Sequence, residues 1–427
     1  MALLGIVLTE ENPRNWKVFS LALIWESFYT RFGGIHPRLV RGYSEQLRTA
    51  RRRGVNNIVV TPCGGTLNSL LEIVLKLCER ISNVQNRHNL NSLGKRLCRS
   101  IVLLLLVVNA QKGRAHDILA EGSRVASVSQ VAFTEGPAWH PNGSVFFTDV
   151  ENNRIMWRDP ASETRIHRTP SGRANGLVFD LEGRLLACEG AKEGGNRRVT
   201  RTELDGSISV LVDRFEGKRF NSPNDITVDS KGFIFFTDPR YGDRSDMELF
   251  DAKGNAIEGV YCIAPDGELT RILTHEVERP NGLAISPDDK FLFIADNANH
   301  AAARQLWRFQ LDKNRQVIPN TQKLLFDWGD SRGPDGMAID QAGRLYVTAG
   351  LNYVAEPTQV ATEFKAAVYV IAPDSGELLE TIPVPMDMIT NCAFGGEDLK
   401  TLYITAGHKL WSITVKTPGY VAWLNKK

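Results

Sequence analysis

Six acidic or amide side chains open six similar phrases in the last two-thirds of the sequence, and together they could bind a metal ion. They are Glu135, Asn175, Asn224, Asn281, Asp335 and Asn391. Carboxylate and amide oxygens are the ligands that Ca²⁺, Mg²⁺ and Mn²⁺ prefer, whereas zinc sites are usually built from softer donors. The two carboxylates would balance one dication. A cation held in this way can polarise a carbonyl or lower the pKa of water, which suits ester hydrolysis.

The phrases recur with a period that predicts a β-propeller. After its polar first residue, each phrase has apolar residues in strand spacing, a turn, and a second strand rich in β-branched and aromatic residues. The phrases start 40, 49, 57, 54 and 56 residues apart. Short strands at this period are typical of propeller blades. The sequence therefore predicts an all-β fold, a six-bladed β-propeller spanning residues 116–427.

The propeller explains how residues far apart in sequence could share one ion. The innermost strands of a propeller surround a central channel, so the first residue of every phrase is expected at one rim of that channel. Two alternatives remain open from the residues alone. Each Asn or Asp could merely cap its own turn with its side chain. A bound ion could also be purely structural, closing the channel without taking part in a reaction.

Five stretches make residues 131–412 resemble the gluconolactonase family, which also includes regucalcin (senescence marker protein) and is related to diisopropyl fluorophosphatase. They are Glu135–Trp139, Asn221–Asp225, Phe236–Gly242, Arg279–Leu283 and Gly333–Met337. The resemblance implies that Glu135, Asn281 and Asp335 bind the metal. It places Asn224 beside the metal, in contact with ion, water or substrate. It also makes Asp335 the acid/base and therefore the expected catalytic residue.

The sequence departs from that family at one position. Many bacterial members have a histidine directly after the glutamate that corresponds to Glu189, but this chain has Gly190 followed by a short insertion. After the insertion, Arg197 and Arg198 are expected either to contact substrate hydroxyls or to pair with carboxylates of the blades. Arg197 is kept as a candidate substrate-binding residue, together with Asn224 and Asn175. Asn175 and Asn391 are weaker site candidates because both could serve turns only.

These observations predict a metal-dependent hydrolase that opens a sugar lactone of the glucono-1,5-lactone type to an aldonic acid. The expected cofactor is one divalent ion, Ca²⁺ first, with Mg²⁺, Mn²⁺ and Zn²⁺ as alternatives. The expected partner is the small-molecule lactone, and the sequence does not indicate an oligomeric state. Two other functions remain open: a phosphotriesterase-like hydrolase on the same metal platform, and a non-catalytic binding propeller with a structural Ca²⁺.

The N-terminal part has a different composition and is treated separately. Residues 1–93 form a basic extension of unknown role, and the first hundred residues contain 15 Lys and Arg against six Glu. Its arginine cluster at 48–53 has no interleaved aromatic residues, which favours a solvated surface over a nucleic-acid site.

Residues 94–115 resemble a signal peptide, with basic residues before the apolar run 101–108. That run is too short to span a bilayer. If the segment is used, the protein is periplasmic or secreted; otherwise it is cytoplasmic. A misassigned start and a genuine N-terminal extension both fit this pattern.

Overall fold

The computed structural model describes residues 118–161, 163–298, 304–353 and 363–425, together with four short strands near the N-terminus. The chain divides into two units, Met1–Lys112 and Gly113–Lys427. In the first unit, β1 (Leu3–Gly5) pairs with β4 (Ala22–Ile24), and β2 (Thr9–Glu10) pairs with β3 (Trp16–Lys17), both antiparallel. The predicted signal-like segment at 94–115 lies outside the described residues.

The second unit contains six four-stranded antiparallel sheets. Blade 1 consists of β6 (Thr134–Trp139), β7 (Val145–Asp149), β8 (Arg154–Arg158) and β9 (Thr164–Arg168). Blade 2 consists of β10 (Ala174–Phe179), β11 (Leu185–Glu189), β12 (Arg198–Thr202) and β13 (Ile208–Val212). A two-stranded hairpin, β14 (Arg214–Phe215) and β15 (Lys218–Arg219), leads to blade 3. Blade 3 consists of β16 (Ile226–Val228), β17 (Ile234–Asp238), β18 (Gly259–Ile263) and β19 (Leu269–Leu273).

The remaining blades repeat this arrangement and close the circle. Blade 4 consists of β20 (Pro280–Ile285), β21 (Phe291–Asn297), β22 (Arg304–Gln310) and β23 (Lys323–Asp327). Blade 5 consists of β24 (Met337–Ile339), β25 (Leu345–Ala349), β26 (Ala367–Ile371) and β27 (Leu378–Pro383). Blade 6 combines β28 (Ile389–Gly395), β29 (Thr401–Ala406) and β30 (Lys409–Thr414) with β5 (Ala126–Gln130). Because β5 comes from the start of the unit, its pairing with β30 joins the two ends of the propeller.

The prediction of a six-bladed β-propeller is confirmed. The first strands of successive blades are neighbours all the way round, and β28 also contacts β6, so these six strands form the inner circle. A 3₁₀ turn at Ala422–Asn425 follows the last blade. Tyr420 and Trp423 line a central cavity of about 130 Å³ together with inner-strand side chains such as Leu283. Within the described ranges no helix is both long and apolar enough to cross a bilayer.

Aspartates explain why the first two strands of several blades turn back at fixed places. The Oδ1 atoms of Asp180, Asp229 and Asp340 each accept two backbone N–H bonds, from the residues two and four positions later, at 2.8–3.0 Å. Backbone N–H groups in a tight turn have no partner in the sheet, and these side-chain oxygens accept their hydrogen bonds instead. These turns lie at the far ends of the first strands. The first residues of the six phrases are therefore left to meet at the other end.

Candidate functional site at the channel rim

The six predicted ring residues lie where the inner strands begin. Glu135, Asn175, Asn281 and Asn391 are in β6, β10, β20 and β28, while Asn224 and Asp335 come just before β16 and β24. Five of the six are buried; Asn175 is only partly so. The exposed fractions of Glu135, Asn281 and Asp335 are 6%, 5% and 5%. The structure therefore places these polar side chains at the end of a closely packed channel.

The three residues expected to bind a metal are brought together. The side chain of Asn281 hydrogen-bonds to the carboxylate of Asp335, although 54 positions separate their phrases along the chain. Burial raises the pKa of Glu135 well above its usual range, and the negative charge of Asp335 raises it further. Burial also raises the pKa of Asp335 to about 6, against the opposing effect of Arg332. The fold therefore brings Glu135, Asn281 and Asp335 close together, while their roles as metal ligands stay predictions.

Asp225 is a third acidic residue at the centre that the sequence analysis did not single out. Its carboxylate accepts the backbone N–H of Ile226 at 3.0 Å and bonds to the N–H of Leu283 and to the side chain of Asn391. Because blades 3 and 6 are opposite each other in the circle, the bond to Asn391 crosses the channel. Burial raises the pKa of Asp225 to about 7. The position after the ring residue could have revealed it: that position is glycine in four phrases and aspartate only here.

The glycines at that position allow the inner strands to approach closely. A Cβ atom on Gly176 would lie 2.6 Å from Oδ1 of Asp225, and one on Gly136 would lie 2.0 Å from the carbonyl oxygen of Asn175. Both distances are shorter than real Cβ contacts, so no larger residue fits without moving the backbone. The Glu-Gly, Asn-Gly and Asp-Gly pairs are thus explained by packing. They let neighbouring ring residues share one small volume.

Threonine hydroxyls of the second strands donate hydrogen bonds to backbone carbonyls at or beside the ring residues. The Thr148 hydroxyl donates to the backbone oxygen of Asn175 in the next blade at 3.0 Å, and Thr237 donates to that of Asn281 at 2.7 Å. The Thr348 hydroxyl similarly donates to the carbonyl of Thr390, beside Asn391, at 2.8 Å. Each bond joins one blade to the next at the level of the ring. The backbone of the ring is therefore fixed before any ligand binds.

The centre has more acidic than basic groups. Glu135, Asp225 and Asp335 interact electrostatically with one another, and the guanidinium of Arg332 opposes this effect at Glu135 and Asp335. The Arg332 guanidinium pairs with Asp335 and donates to the carbonyl of Ile389 at 2.6 Å. When ionised, three carboxylates against one guanidinium leave a charge of about −2, which one buried dication would neutralise. The residues present therefore fit a divalent cation.

Amide oxygens are needed to complete such a site. In the part of the chain that the structure describes, no three His, Cys, Asp or Glu side chains are grouped closely enough to hold a metal alone. Asn175 Oδ1 is buried and has no hydrogen-bond partner, which is costly for a polar atom unless something else binds it. That oxygen does not cap a turn, contrary to the alternative considered for Asn175. The Oδ1 of Asn391, by contrast, accepts the N–H of Cys392 at 2.8 Å.

The arginines after the insertion are engaged elsewhere. Arg197 is buried, donates to the carbonyl of Phe220 and pairs with Asp246 at 3.0 Å. Arg198 pairs with Glu189 at 2.8 Å. Of the two alternatives for these residues, pairing with carboxylates is the one seen in the structure. A substrate contact by Arg197 stays a prediction, and no contact with the ring residues supports it.

The raised pKa values predict how stability depends on pH. A carboxyl group whose pKa is higher in the folded than in the unfolded state stabilises the fold only while it is protonated. We therefore expect the free energy of unfolding of the metal-free protein to fall, by on the order of a few kcal/mol, as pH rises from about 4 through the value of about 7 for Asp225. Urea titrations from pH 4 to 8 in chelator measure this, and Asp225→Asn should flatten the slope. An unfolding free energy that rises steadily over this range would contradict it.

Comparison with known proteins agrees with this geometry. Residues 133–408 match the family model described as SMP-30/Gluconolactonase/LRE-like region. The chain belongs to this family. A gluconolactonase from Zymomonas mobilis is 32% identical over 312 residues, which cover 68% of this chain and 81% of that protein. A 6-deoxy-6-sulfogluconolactonase from Pseudomonas putida is 34% identical over 289 residues, covering 64% and 83%.

The solved structures of the family have the same fold. The structure of a gluconolactonase from Xanthomonas campestris superposes with a TM-score of 0.57 at 27% identity and covers 69% of this chain and 91% of that one. The family resemblance seen in the five sequence stretches is therefore confirmed. The matched residues contain all six ring positions together with Asp225 and Arg332.

Proposed function

We propose that this chain hydrolyses a sugar lactone of the glucono-1,5-lactone type and releases an aldonic acid. The observation that carries the proposal is the meeting of Glu135, Asn281 and Asp335 at the end of the channel, in a site with more acidic than basic groups. Two family members with about one-third identical residues are named for lactone hydrolysis, a gluconolactonase and a 6-deoxy-6-sulfogluconolactonase.

Asp335 is the residue that handles the proton in this reaction. In the metal-free protein its pKa is raised to about 6. As a carboxylate it can accept a proton from the attacking water and return it to the leaving ring oxygen. Arg332 holds the carboxylate through Oδ2. Glu135 is a second acidic group in the site and interacts electrostatically with Asp335. A bound dication would stabilise the negative charge that develops on the lactone carbonyl oxygen.

Ca²⁺ is the ion we propose for this centre. Glu135 and Asp335 would supply carboxylate oxygens, Asn281 and Asn224 amide oxygens, and the unpartnered Asn175 Oδ1 lies on the same circle. This all-oxygen set, with no sulfur or imidazole, matches the preference of a large hard cation that tolerates irregular geometry. Mg²⁺, Mn²⁺ and Zn²⁺ are the alternatives for a metal titration.

Removing the metal should abolish hydrolysis without unfolding the propeller. The blades are closed by β5 and by backbone bonds between neighbouring inner strands, so the fold does not depend on the ion. We expect treatment with a chelator followed by gel filtration to lower the initial rate on glucono-1,5-lactone by at least about a hundredfold. Added Ca²⁺ should restore it, and far-ultraviolet circular dichroism should not change.

The same experiment separates the competing functions. A non-catalytic propeller with a structural ion would show no lactone hydrolysis and would lose its circular dichroism signal when the ion is removed. If the protein were a phosphotriesterase-like enzyme, adding Ca²⁺ would restore its hydrolysis of paraoxon-type esters, and it would not hydrolyse lactones. Full activity in the chelator-treated protein would refute the metal centre.

A further inference from the structure

Tyr241 contacts a predicted metal ligand and has no role in the proposed reaction so far. It lies in the segment between β17 and β18, and its hydroxyl oxygen is 2.9 Å from Nδ2 of Asn281. The same hydroxyl is 3.4 Å from the carbonyl oxygen of Asn297. The residue is 40% exposed, while burial raises the pKa of its hydroxyl. The side chain therefore extends from the solvent-facing surface to the ring.

The two contacts of the hydroxyl determine which way the Asn281 amide faces. A phenol has one proton, and the carbonyl of Asn297 can only accept it. The hydroxyl must then accept from Asn281, so the NH₂ end of the amide faces Tyr241. The amide also interacts with the carboxylate of Asp335. With its NH₂ end on the Tyr241 hydroxyl, the amide keeps the lone pairs of Oδ1 for another partner.

A second residue holds the phenol ring in place. The guanidinium carbon of Arg279 lies 5.3 Å from the centre of the Tyr241 ring, within the range of a cation–π interaction. Nε of Arg279 in turn donates to Glu258 at 3.3 Å. Arg279 comes two residues before Asn281 and directly precedes β20, so one short stretch of chain carries both the amide and the group that holds the Tyr241 ring.

We propose that Tyr241 is a positioning residue that turns Oδ1 of Asn281 toward the metal centre by accepting a hydrogen bond from its Nδ2 atom. The inference rests on the proposed function, since it assigns a purpose to the amide only if a cation binds there. Hydrogen-bond partners of metal ligands typically contribute about tenfold or more to metal affinity, because they set the orientation of the ligand. Tyr241 does not itself touch the ion in this arrangement.

The test is Ca²⁺ binding to the full chain, measured by isothermal titration calorimetry after chelator treatment. We expect Tyr241→Phe to raise the dissociation constant for Ca²⁺ about tenfold. Lactone hydrolysis by this variant should recover when Ca²⁺ is saturating, with an unchanged KM, because the ring and the substrate surface remain. A half-exposed side chain contributes little to the core, so the variant should fold.

Tyr346→Phe is the matched control. Tyr346 is buried, and its hydroxyl contacts Asp340 at 3.3 Å, at the end of blade 5 away from the ring. This variant loses a tyrosine hydroxyl but should bind Ca²⁺ with the affinity of the unaltered protein. Equal dissociation constants for Tyr241→Phe and the unaltered protein would overturn the inference while leaving the proposed function intact. Failure of the unaltered protein to bind any of Ca²⁺, Mg²⁺, Mn²⁺ and Zn²⁺ in the same titration would overturn both.

Discussion

Asp335→Asn should lower kcat for lactone hydrolysis by about a thousandfold or more and leave a folded propeller. The substitution removes the group that accepts the proton and one of the negative charges that would hold the cation. Asparagine keeps the volume of the side chain and can still accept a hydrogen bond from Arg332. Initial rates in a pH-stat at saturating Ca²⁺ measure kcat, and thermal unfolding reports the fold.

Alanine at this position would be a poorer test. Arg332 is 4% exposed and pairs with Asp335, so Asp335→Ala would leave the buried guanidinium with neither a negative charge nor a hydrogen-bond acceptor at this position, whereas asparagine removes the charge but keeps an acceptor. Breaking a buried ion pair in this way costs about 3–5 kcal/mol and could unfold the protein for reasons unrelated to catalysis.

Asp340→Asn provides the control for the asparagine variant. Asp340 is also buried in blade 5 and pairs with Arg344 at 2.7 Å, but it lies at the turn between β24 and β25. It should lose stability without losing kcat. An Asp335→Asn enzyme with the kcat of the unaltered protein would exclude Asp335 as the acid/base.

The sequence was sufficient to predict the ring because the ring repeats. Six phrases with an oxygen-bearing first residue gave the blade count, and the circular arrangement gave the meeting of Glu135, Asn281 and Asp335. Asp225 and Arg332 were missed because each occurs in only one phrase. Asp225 stands where four other phrases have glycine, and its carboxylate lies in the space that a side chain on Gly176 would occupy.

Residues on the connecting segments were harder to predict. The partners of Arg197 are the carbonyl of Phe220 and the carboxylate of Asp246, on two different loops whose paths no periodic pattern specifies. Tyr241 was part of a stretch that resembled the family, yet its contact with Asn281 depends on how the long segment between β17 and β18 folds back over the ring. Strand patterns fix the positions of inner residues, whereas loop contacts need coordinates.

Gly282→Ala should disrupt the site by forcing neighbouring inner strands apart, without removing any polar group. A Cβ atom at Gly282 would lie 2.2 Å from the carbonyl oxygen of Asp335 and 2.6 Å from the Cα atom of Gly336. These are backbone atoms of the next blade, so the two inner strands must separate by about an ångström to restore normal contact. Gly282 also donates its N–H to that carbonyl at 3.0 Å, and this bond would lengthen or break.

The separation should affect activity and stability together. Asn281 and Asp335 flank the clash, and a displacement of about 1 Å between groups that act on one substrate can lower the rate about a hundredfold. Overpacking of this kind typically lowers the free energy of unfolding by about 1–3 kcal/mol. We therefore expect a lower kcat, weaker Ca²⁺ binding and a lower urea midpoint in the same variant.

The control must account for the unfolded state, because replacing glycine with alanine restricts the unfolded chain and by itself stabilises a protein by about 0.4–1 kcal/mol. Gly259→Ala has the same effect on the unfolded state. Gly259 lies in the third strand of blade 3 rather than in the inner circle, and its Cβ would lie 3.1 Å from the side chains of Arg271 and Tyr261 and 3.2 Å from the carbonyl oxygen of Leu273, a much milder crowding than 2.2 Å. The difference between the two variants is therefore the cost of separating β20 from the Asp335 segment. If Gly282→Ala matched Gly259→Ala in kcat and in stability, close packing of the inner strands would not be what brings Asn281 and Asp335 together.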